Sequence, residues 1–201
     1  MRAEAADPSI RGSFIMTGKA WIIKTYGKEL FERAIGTLPR EDQAMFRMEL
    51  VGTSWYPIRD WTRVLDAVRA EVRAATGEDA KTFDRRLMFE SIGTTMNSVF
   101  RIAFALLSPM MAVAKVTPYF QKVYSHGLYA VVENEPGRCR VRLSEVPHAM
   151  ADEVLRAFPL ATSWVLDIAG QDVTKMSCTR KTEGLTSTFE VAAIYEPKRK
   201  R

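Results

Sequence analysis

The chain has 201 residues, of which 47% are hydrophobic and 26% charged, and this is the composition of an ordinary globular protein. That length fits one domain and is sufficient to bury a full core without disulfides or structural metals. The formal net charge is +5, but residues 198–201 carry four of the positive charges, so the rest of the chain is close to neutral. We therefore expect a solvated basic tail here, and nucleic-acid binding is possible but not favoured.

The first half of the sequence predicts helices with apolar residues three and four positions apart. A flexible leader is expected over residues 1–14. The predicted helices are Gly18–Ile35, Arg40–Val51, Pro57–Ala75, Asp79–Leu107 and Pro109–Tyr124. In the third of these, the apolar stripe is formed by Ile58, Trp61, Leu65, Val68 and Val72, and Gly77 is expected to end the helix. Arg69 lies off this stripe, so we expect it to be solvated. Residues 15–125 therefore form the helical part of the predicted fold.

After residue 126 the apolar period changes from 3.6 to 2, which is typical of strands. The predicted strands are Gly127–Glu133, Arg138–Val146, Val173–Thr182 and Leu185–Glu196. A helix over Met150–Ile168, with a break at Pro159 as the alternative to a continuous helix, separates the two hairpins. Pro136-Gly137 and Gly184 are turn signals. The sequence predicts one α+β domain over residues 15–197, in which the helical half packs on a four-stranded antiparallel sheet formed by residues 126–197.

The two cysteines, Cys139 and Cys178, fall at apolar-facing strand positions. They predict reduced, buried thiols of a cytoplasmic protein, with a disulfide between neighbouring strands as the alternative. The N-terminus has no apolar signal-peptide core. The most apolar stretch, Ile102–Ala114, is shorter than the ~20 residues that a spanning helix needs, so we expect no membrane span.

The second predicted strand carries three arginines on one face, at Arg138, Arg140 and Arg142. Cys139, Val141 and Leu143 alternate with them and would face the core. A row of guanidinium groups can bind phosphate or carboxylate groups. The alternative is a solvated face that discourages edge-to-edge aggregation.

Soft and aromatic side chains recur in the last part of the helical half, and they predict an apolar ligand pocket against the sheet. The residues predicted to line it are Met96, Phe100, Phe104, Met111, Tyr119 and Phe120. A plain hydrophobic core is the alternative interpretation.

Motifs of catalysis are absent from the sequence: there is no G-x-G-x-x-G, Walker A, nucleophile elbow or H-E-x-x-H. The two histidines, His126 and His148, lie near element ends and show no zinc-ligand spacing with the cysteines. Glu90 is either a buried acid or an exposed helix residue. We expect no catalytic residues, no metal site and no enzymatic activity.

Several segments in the second half resemble a known superfamily in their order. They are Pro118–Tyr124, Gly127–Val132, the Pro136-Gly137 turn, Trp164, Gly170 and Phe189–Tyr195. This order resembles the superfamily that joins haem nitric-oxide/oxygen-binding (H-NOX) domains, vinyl-reductase-type sensor domains and vesicle-tethering subunits. Gly27–Phe31 and Trp55–Pro57 also resemble an uncharacterised, myxobacteria-restricted family of about this length.

The resemblance implies a ligand pocket between sheet and helices, or a protein-docking surface. Haem-binding members use a histidine in the helix before the sheet, and this chain has Gln121 near that place. The Tyr-x-Ser-x-Arg element of those members is also missing. We therefore expect the fold without the haem, and no other cofactor.

The sequence as a whole predicts a cytoplasmic, non-enzymatic sensor or adaptor module in signalling or regulation. Its ligand would be an apolar or amphipathic small molecule or a protein partner, and a homodimer is possible. The alternative is a regulator that binds an anion, a nucleotide or nucleic acid through Arg138, Arg140 and Arg142.

Overall fold

The computed structural model describes residues 7–91 and 107–198. Its helices are α1 (Gly12–Tyr26), α2 (Lys28–Gly36), α3 (Arg40–Arg47), α4 (Ile58–Thr76), α5 (Ala80–Arg86), α6 (Pro109–Ala114), α7 (Val116–Val123) and α8 (His148–Ile168). A π-helix, Leu87–Ser91, continues α5. The strands are β1 (Ser9–Arg11), β2 (Trp55–Pro57), β3 (Leu128–Glu135), β4 (Arg138–Pro147), β5 (Gln171–Glu183) and β6 (Thr186–Pro197).

The predicted α+β fold class is confirmed. Apart from the short strands β1 and β2, the elements described in the first half are helices, and the strands of the second half form an antiparallel sheet of order β3-β4-β6-β5. Helix α8 packs across β5 and β6 on the inner face of this sheet. In β4 the side chains of Cys139, Val141 and Leu143 are buried in that face, as the alternation predicts.

The helical half is built around α4, whose inner stripe runs through Ile58, Trp61, Leu65, Val68 and Val72. These side chains are three or four positions apart, and all of them are buried. The helix ends at Gly77, whose φ of +77° is the left-handed conformation that glycine adopts without strain. Both features follow the sequence prediction.

Several predicted helices are wrong in their bounds. The helix predicted over Gly18–Ile35 is two helices, because Gly27 has a φ of +91° and interrupts the backbone ladder. The helix predicted over Pro109–Tyr124 is also divided, at Lys115. Conversely, Pro159 does not break α8. Of the helix predicted over Asp79–Leu107, residues 92–106 lie outside the described residues.

The flexible leader predicted over residues 1–14 is wrong from Ser9 onward. Strand β1 pairs with β2 on one side. On the other side, the Ser125 amide donates to the Ser9 carbonyl at 3.0 Å, and Ile10 bridges to Tyr124. Ile10 is buried in the core. Burial of its side chain and pairing on both edges order this segment and connect the helical half to the start of the sheet.

Both cysteines are free, with Cys139 buried and Cys178 half-buried. Burial raises the pKa of the Cys139 thiol to about 11, so it stays protonated near neutral pH. Over residues 7–91 and 107–198, none of the helices has the length and apolarity needed to cross a bilayer.

Candidate functional site

A cavity of about 40 Å³ lies where the helical half meets α8. Its apolar wall consists of Ile10, Phe14, Gly18, Ile58, Trp61, Leu65, Leu87, Met88, Ala157 and Leu160. Its polar lining consists of Arg69, Asp84, Ser91, Tyr124, Glu153 and Arg156. The cavity therefore has a large apolar surface and a charged end, the arrangement that small-molecule sites commonly show.

Two backbone features shape the helical side of the cavity. Gly18 on α1 leaves room for the ring of Trp61, since a Cβ at this position would lie 2.7 Å from Trp61 Cζ2. The π-helix that follows α5 places Leu87, Met88 and Ser91 along the cavity. A π-turn changes the direction of side chains relative to a regular helix, and such turns occur frequently at functional sites.

The charged end is organised by one buried guanidinium, Arg69. Its side chain is only 9% exposed, so the sequence-based expectation that it is solvated is wrong. Arg69 Nε donates to Asp84 Oδ1 at 2.7 Å, and Nη1 donates to Asp66 Oδ1 at 2.6 Å. Glu153 Oε2 on α8 lies 3.8 Å from Nη2. Helices α4, α5 and α8 therefore meet at this residue, and three carboxylates compensate for its burial.

A second arginine, Arg156, lies one turn along α8 from Glu153. It donates to Glu153 Oε2 at 2.9 Å and lies 3.7 Å from Asp66 Oδ1. We call Asp66, Arg69, Asp84, Glu153 and Arg156 the ionic cluster. Asp66 is more than half exposed, whereas Asp84 and Glu153 are largely buried and line the cavity.

The carboxyl group of Asp84 is not fully compensated. Burial raises its pKa above the ordinary value, and the nearby charge of Glu153 raises it further, while Arg69 acts in the opposite direction. Its Oδ1 accepts from Arg69, but Oδ2 has no hydrogen-bond partner among the described residues. Among residues 7–91 and 107–198, no donor therefore reaches this oxygen at the buried end of the cavity.

Tyr124 lines the cavity from the segment between α7 and β3. Its ring stacks on Phe120 at 4.9 Å and lies 6.2 Å from Phe14. Burial raises the pKa of its hydroxyl, and the charge of Glu153 adds to the shift, so the phenol stays neutral. This hydroxyl has no hydrogen-bond partner within the described part of the chain, so it can interact with a bound molecule.

The predicted pocket residues do not line this cavity where they are described. Met96, Phe100 and Phe104 lie outside the described residues, as does the side chain of Tyr119. Met111 is 52% exposed, and Phe120 reaches the cavity only through its contact with Tyr124. The cavity lies closer to α1 and α4 than the sequence predicts. Its ionic cluster joins residues that are far apart in the chain, and no local pattern indicates it.

The three arginines of β4 are exposed as expected, with 58%, 43% and 47% of the side chains of Arg138, Arg140 and Arg142 accessible. Each one is paired with glutamates. Arg138 lies 2.7 Å from Glu133, and Arg142 lies 2.9 Å from Glu190. Arg140 contacts both of these acids, at 3.3 and 3.5 Å, and Arg138 also pairs with Glu135. Three carboxylates thus balance three guanidinium groups, and anion binding at this face stays a prediction.

The other candidate residues have structural partners. Glu90 is exposed and accepts from Trp21 Nε1 at 2.9 Å and from Arg86 Nε at 3.2 Å. His126 Nδ1 lies 2.6 Å from Ser125 Oγ, and His148 Nε2 lies 3.0 Å from the Gly184 carbonyl oxygen. Neither histidine borders the cavity. In the described ranges, no three histidine, cysteine or acidic side chains are grouped closely enough to hold a metal ion.

The described residues around the cavity do not fit the haem that haem-binding members of the superfamily hold. A volume of about 40 Å³ is far smaller than a porphyrin. Both histidines of the chain, the usual axial ligands in globin-like sites, lie elsewhere. The ionic cluster fills the end of the cavity with paired charges.

The chain is similar to known proteins in its structure, but not detectably in its sequence. No family model and no curated protein sequence matches the chain, so the resemblance to a myxobacterial family has no support. An Fe(II) unliganded H-NOX protein from K. algicida superposes with a TM-score of 0.65 at 9% identity, covering 92% of this chain and 96% of that one. A mutant H-NOX of T. tengcongensis gives 0.63 at 12% identity, covering 94% and 99%. An oxygen-binding H-NOX domain related to soluble guanylate cyclases gives 0.58 at 13% identity, covering 94% and 95%. The chain therefore has the H-NOX fold over nearly its whole length.

Proposed function

We propose that this protein is a non-enzymatic sensor module that binds a small molecule, without haem, in the cavity between the helical half and α8. The observation that carries the proposal is the cavity itself, which combines apolar and aromatic walls with the largely buried Arg69, Asp84 and Glu153 of the ionic cluster. The fold supports it, because one protein with this fold is described as oxygen-binding. That likeness extends to the fold alone.

The position of the cavity suits a sensor. Its described lining comes from β1, α1, α4, α5, the π-helix and Tyr124 of the N-terminal half and from α8 of the C-terminal half. A ligand that contacts both sides stabilises the arrangement of the two halves that fits it best, and it shifts the population by its difference in affinity. The downstream partner, whether another protein or a second copy of this chain, stays a prediction.

Filling the cavity tests the proposal. Ala157 lines it from α8, so Ala157→Leu should remove the space that the ligand occupies. Ala161→Leu is the matched control, since it makes the same change one turn further along α8 at a half-buried residue outside the lining. A screen of small apolar and amphipathic compounds by thermal unfolding should find compounds that stabilise the wild-type protein and the control.

At a ligand concentration about 100 times the dissociation constant, the stabilisation should be about 2.7 kcal/mol. For a chain of this size that corresponds to a rise of roughly 5–10 °C in the unfolding midpoint. The rise should be absent in the Ala157→Leu variant. Stabilising compounds that act equally on both variants would place the site elsewhere, and a broad screen without any stabilising compound would contradict the proposal.

A further inference from the structure

Resting on the proposed function, we propose that the cavity is a site for a short protonated amine, whose ammonium group binds between Asp84 and Glu153. The ionic cluster and the aromatic lining select the charge of this ligand, and the volume of the cavity limits its size.

The charge balance of the ionic cluster favours a cation. Among the described residues it contains the three carboxylates of Asp66, Asp84 and Glu153 and the two guanidinium groups of Arg69 and Arg156, which leaves one negative charge in excess. The excess is located at the cavity end, where Asp84 is 10% exposed and Glu153 15% exposed. A carboxylate ligand would add a further negative charge beside two buried acids, and like charges at such distances repel strongly.

Free acceptor atoms are also present at this end. Asp84 uses only Oδ1 and Glu153 only Oε2 in the contacts with described residues. Asp84 Oδ2 and Glu153 Oε1 therefore have no hydrogen-bond donor within the described part of the chain, and the Tyr124 hydroxyl can also accept a hydrogen bond. An ammonium group has three N–H donors and no acceptor, so it matches this set. The unpaired Nε of Arg156 is the one observation that favours an acceptor on the ligand.

The aromatic lining fits the same chemistry. Phe14, Trp61 and Tyr124 all border the cavity. The face of an aromatic ring attracts a cation, and the attraction is larger where water is excluded. The walls can hold the short alkyl part of an amine, while the carboxylates hold its charged group.

The volume limits the length of the ligand. A cavity needs roughly 10–15 Å³ for each water-sized group, so about 40 Å³ accommodates around three. Methylammonium and ethylammonium match this size, whereas tetramethylammonium has the same charge but is too bulky and has no N–H donor. So small a ligand is expected to bind with a dissociation constant of the order of a millimolar.

The test uses the full chain and four probes at equal ionic strength: ethylammonium chloride, tetramethylammonium chloride, sodium propionate and ethanol. Ethylammonium at about ten times its dissociation constant should raise the unfolding midpoint by roughly 3–6 °C. The other three should not raise it. Glu153→Gln should weaken ethylammonium binding at least tenfold, and so should Asp84→Asn. The matched control is Asp152→Asn, which removes a carboxylate from the exposed side of α8 and should bind like the wild-type protein.

The outcomes separate this inference from the proposed function. If propionate or ethanol stabilises the protein as much as ethylammonium, and Ala157→Leu abolishes that effect, the cavity binds a ligand but the amine assignment is wrong. If none of the probes raises the unfolding midpoint, the amine assignment is also wrong. The thermal-unfolding screen of small apolar and amphipathic compounds then decides whether the cavity binds any ligand. If an Asp84 variant fails to fold, binding by the Glu153→Gln variant decides, because retention of wild-type affinity there contradicts the assignment.

Discussion

Gly18 occupies the point where α1 passes the ring of Trp61, and this contact sets one wall of the cavity. An added methyl group would meet Trp61 Cζ2 at 2.7 Å, a distance that real Cβ contacts do not show. Trp61 is buried in α4, where close packing opposes a movement of the indole away from Gly18. Small residues at such positions fix the approach of two helices, and their replacement affects both packing and the space beside them.

Gly18→Ala should therefore destabilise the protein. Overpacking costs about 1–3 kcal/mol, and the better helix propensity of alanine offsets up to about 1 kcal/mol of it. We expect a net loss of roughly 1–2 kcal/mol in the free energy of unfolding, measured by urea denaturation. Gly36→Ala is the control, because nothing lies within 4 Å of its added Cβ, and it should be neutral or slightly stabilising. Equal stability of the two variants would contradict the proposed contact with Trp61.

Asp84 should make stability depend on pH. Its pKa is raised in the folded protein, chiefly by burial, so the folded state binds this proton more tightly than the unfolded state. The resulting stabilisation is fully present below about pH 4, the pKa of an unperturbed Asp. It is lost as the pH rises through the folded-state value. Arg69, Glu153, Arg156 and Asp66 are the charged groups that surround it.

The measurement is the free energy of unfolding between pH 3 and 7 for the wild-type protein and Asp84→Asn. Asparagine imitates the protonated acid, so the variant should gain stability relative to the wild-type protein as the pH rises above about 4. Asp152→Asn again serves as the exposed control and should follow the wild-type curve. If the free energy of unfolding changes with pH in the same way for the wild-type protein and for Asp84→Asn, the pKa of Asp84 is the same in the folded and the unfolded state, and the prediction is wrong.

At the scale of elements, strand β4 has one face that packs in the core and one face that is directed to the solvent. Val141 is buried between Arg140 and Arg142, which are exposed and paired with Glu133 and Glu190. Ion pairs between exposed side chains contribute little to stability, whereas a polar group in the core without a partner costs about 1–3 kcal/mol. The two faces should therefore respond very differently to substitution.

Replacement of Arg138, Arg140 and Arg142 together by Gln should leave the unfolding midpoint almost unchanged. Val141→Thr, on the opposite face of the same strand, should lower the stability by roughly 1–3 kcal/mol, because it buries a hydroxyl. The wild-type protein should show no salt-sensitive binding of nucleotides or polyphosphate. Tight binding that is lost in the triple variant and weakens steeply with salt would establish the arginine face as an anion site.

Local patterns in the sequence were sufficient to predict the strands and the helix that follow residue 126. The alternation over 138–143, the turn at Pro136-Gly137 and the stop at Gly77 each depend on a few neighbouring residues, and all three appear in the structure. The break at Gly27 and the pairing of Ser9–Arg11 were not predicted. The first depends on which of two conformations a glycine adopts, and the second on a strand distant in the sequence.

The sequence did not predict the candidate site, because this site also depends on contacts between residues that are distant in the chain. Arg69, Asp84 and Glu153 come from three separate helices, and each one alone has the appearance of a solvated helix residue. Their burial is a property of tertiary packing between α4, α5 and α8. Sequence periodicity indicates which face of a helix is apolar, but it does not indicate which charges at the edge of that face will meet.

At the scale of the whole molecule, the chain has the fold of H-NOX proteins. We expect the purified protein to show no Soret absorption, even after incubation with haem, because both histidines lie outside the cavity and the space is small. An absorption spectrum after gel filtration checks this. A Soret band that persists, and that disappears on replacement of His126 or His148, would show that haem binds after all.

The central claim is that a small molecule binds beside Trp61, and the indole N–H resonances of the protein test it directly. The chain has four tryptophans, and Trp61 is the one that lines the cavity, while Trp21, Trp55 and Trp164 lie elsewhere. The four signals can be followed by ¹⁵N NMR during titration with short amines, acids and alcohols, with Trp61→Phe providing the assignment. We predict that the Trp61 signal moves saturably with at least one of these probes, with ethylammonium giving the largest change, and that Trp55 and Trp164 stay in place. A Trp61 signal that moves with none of them would contradict the account.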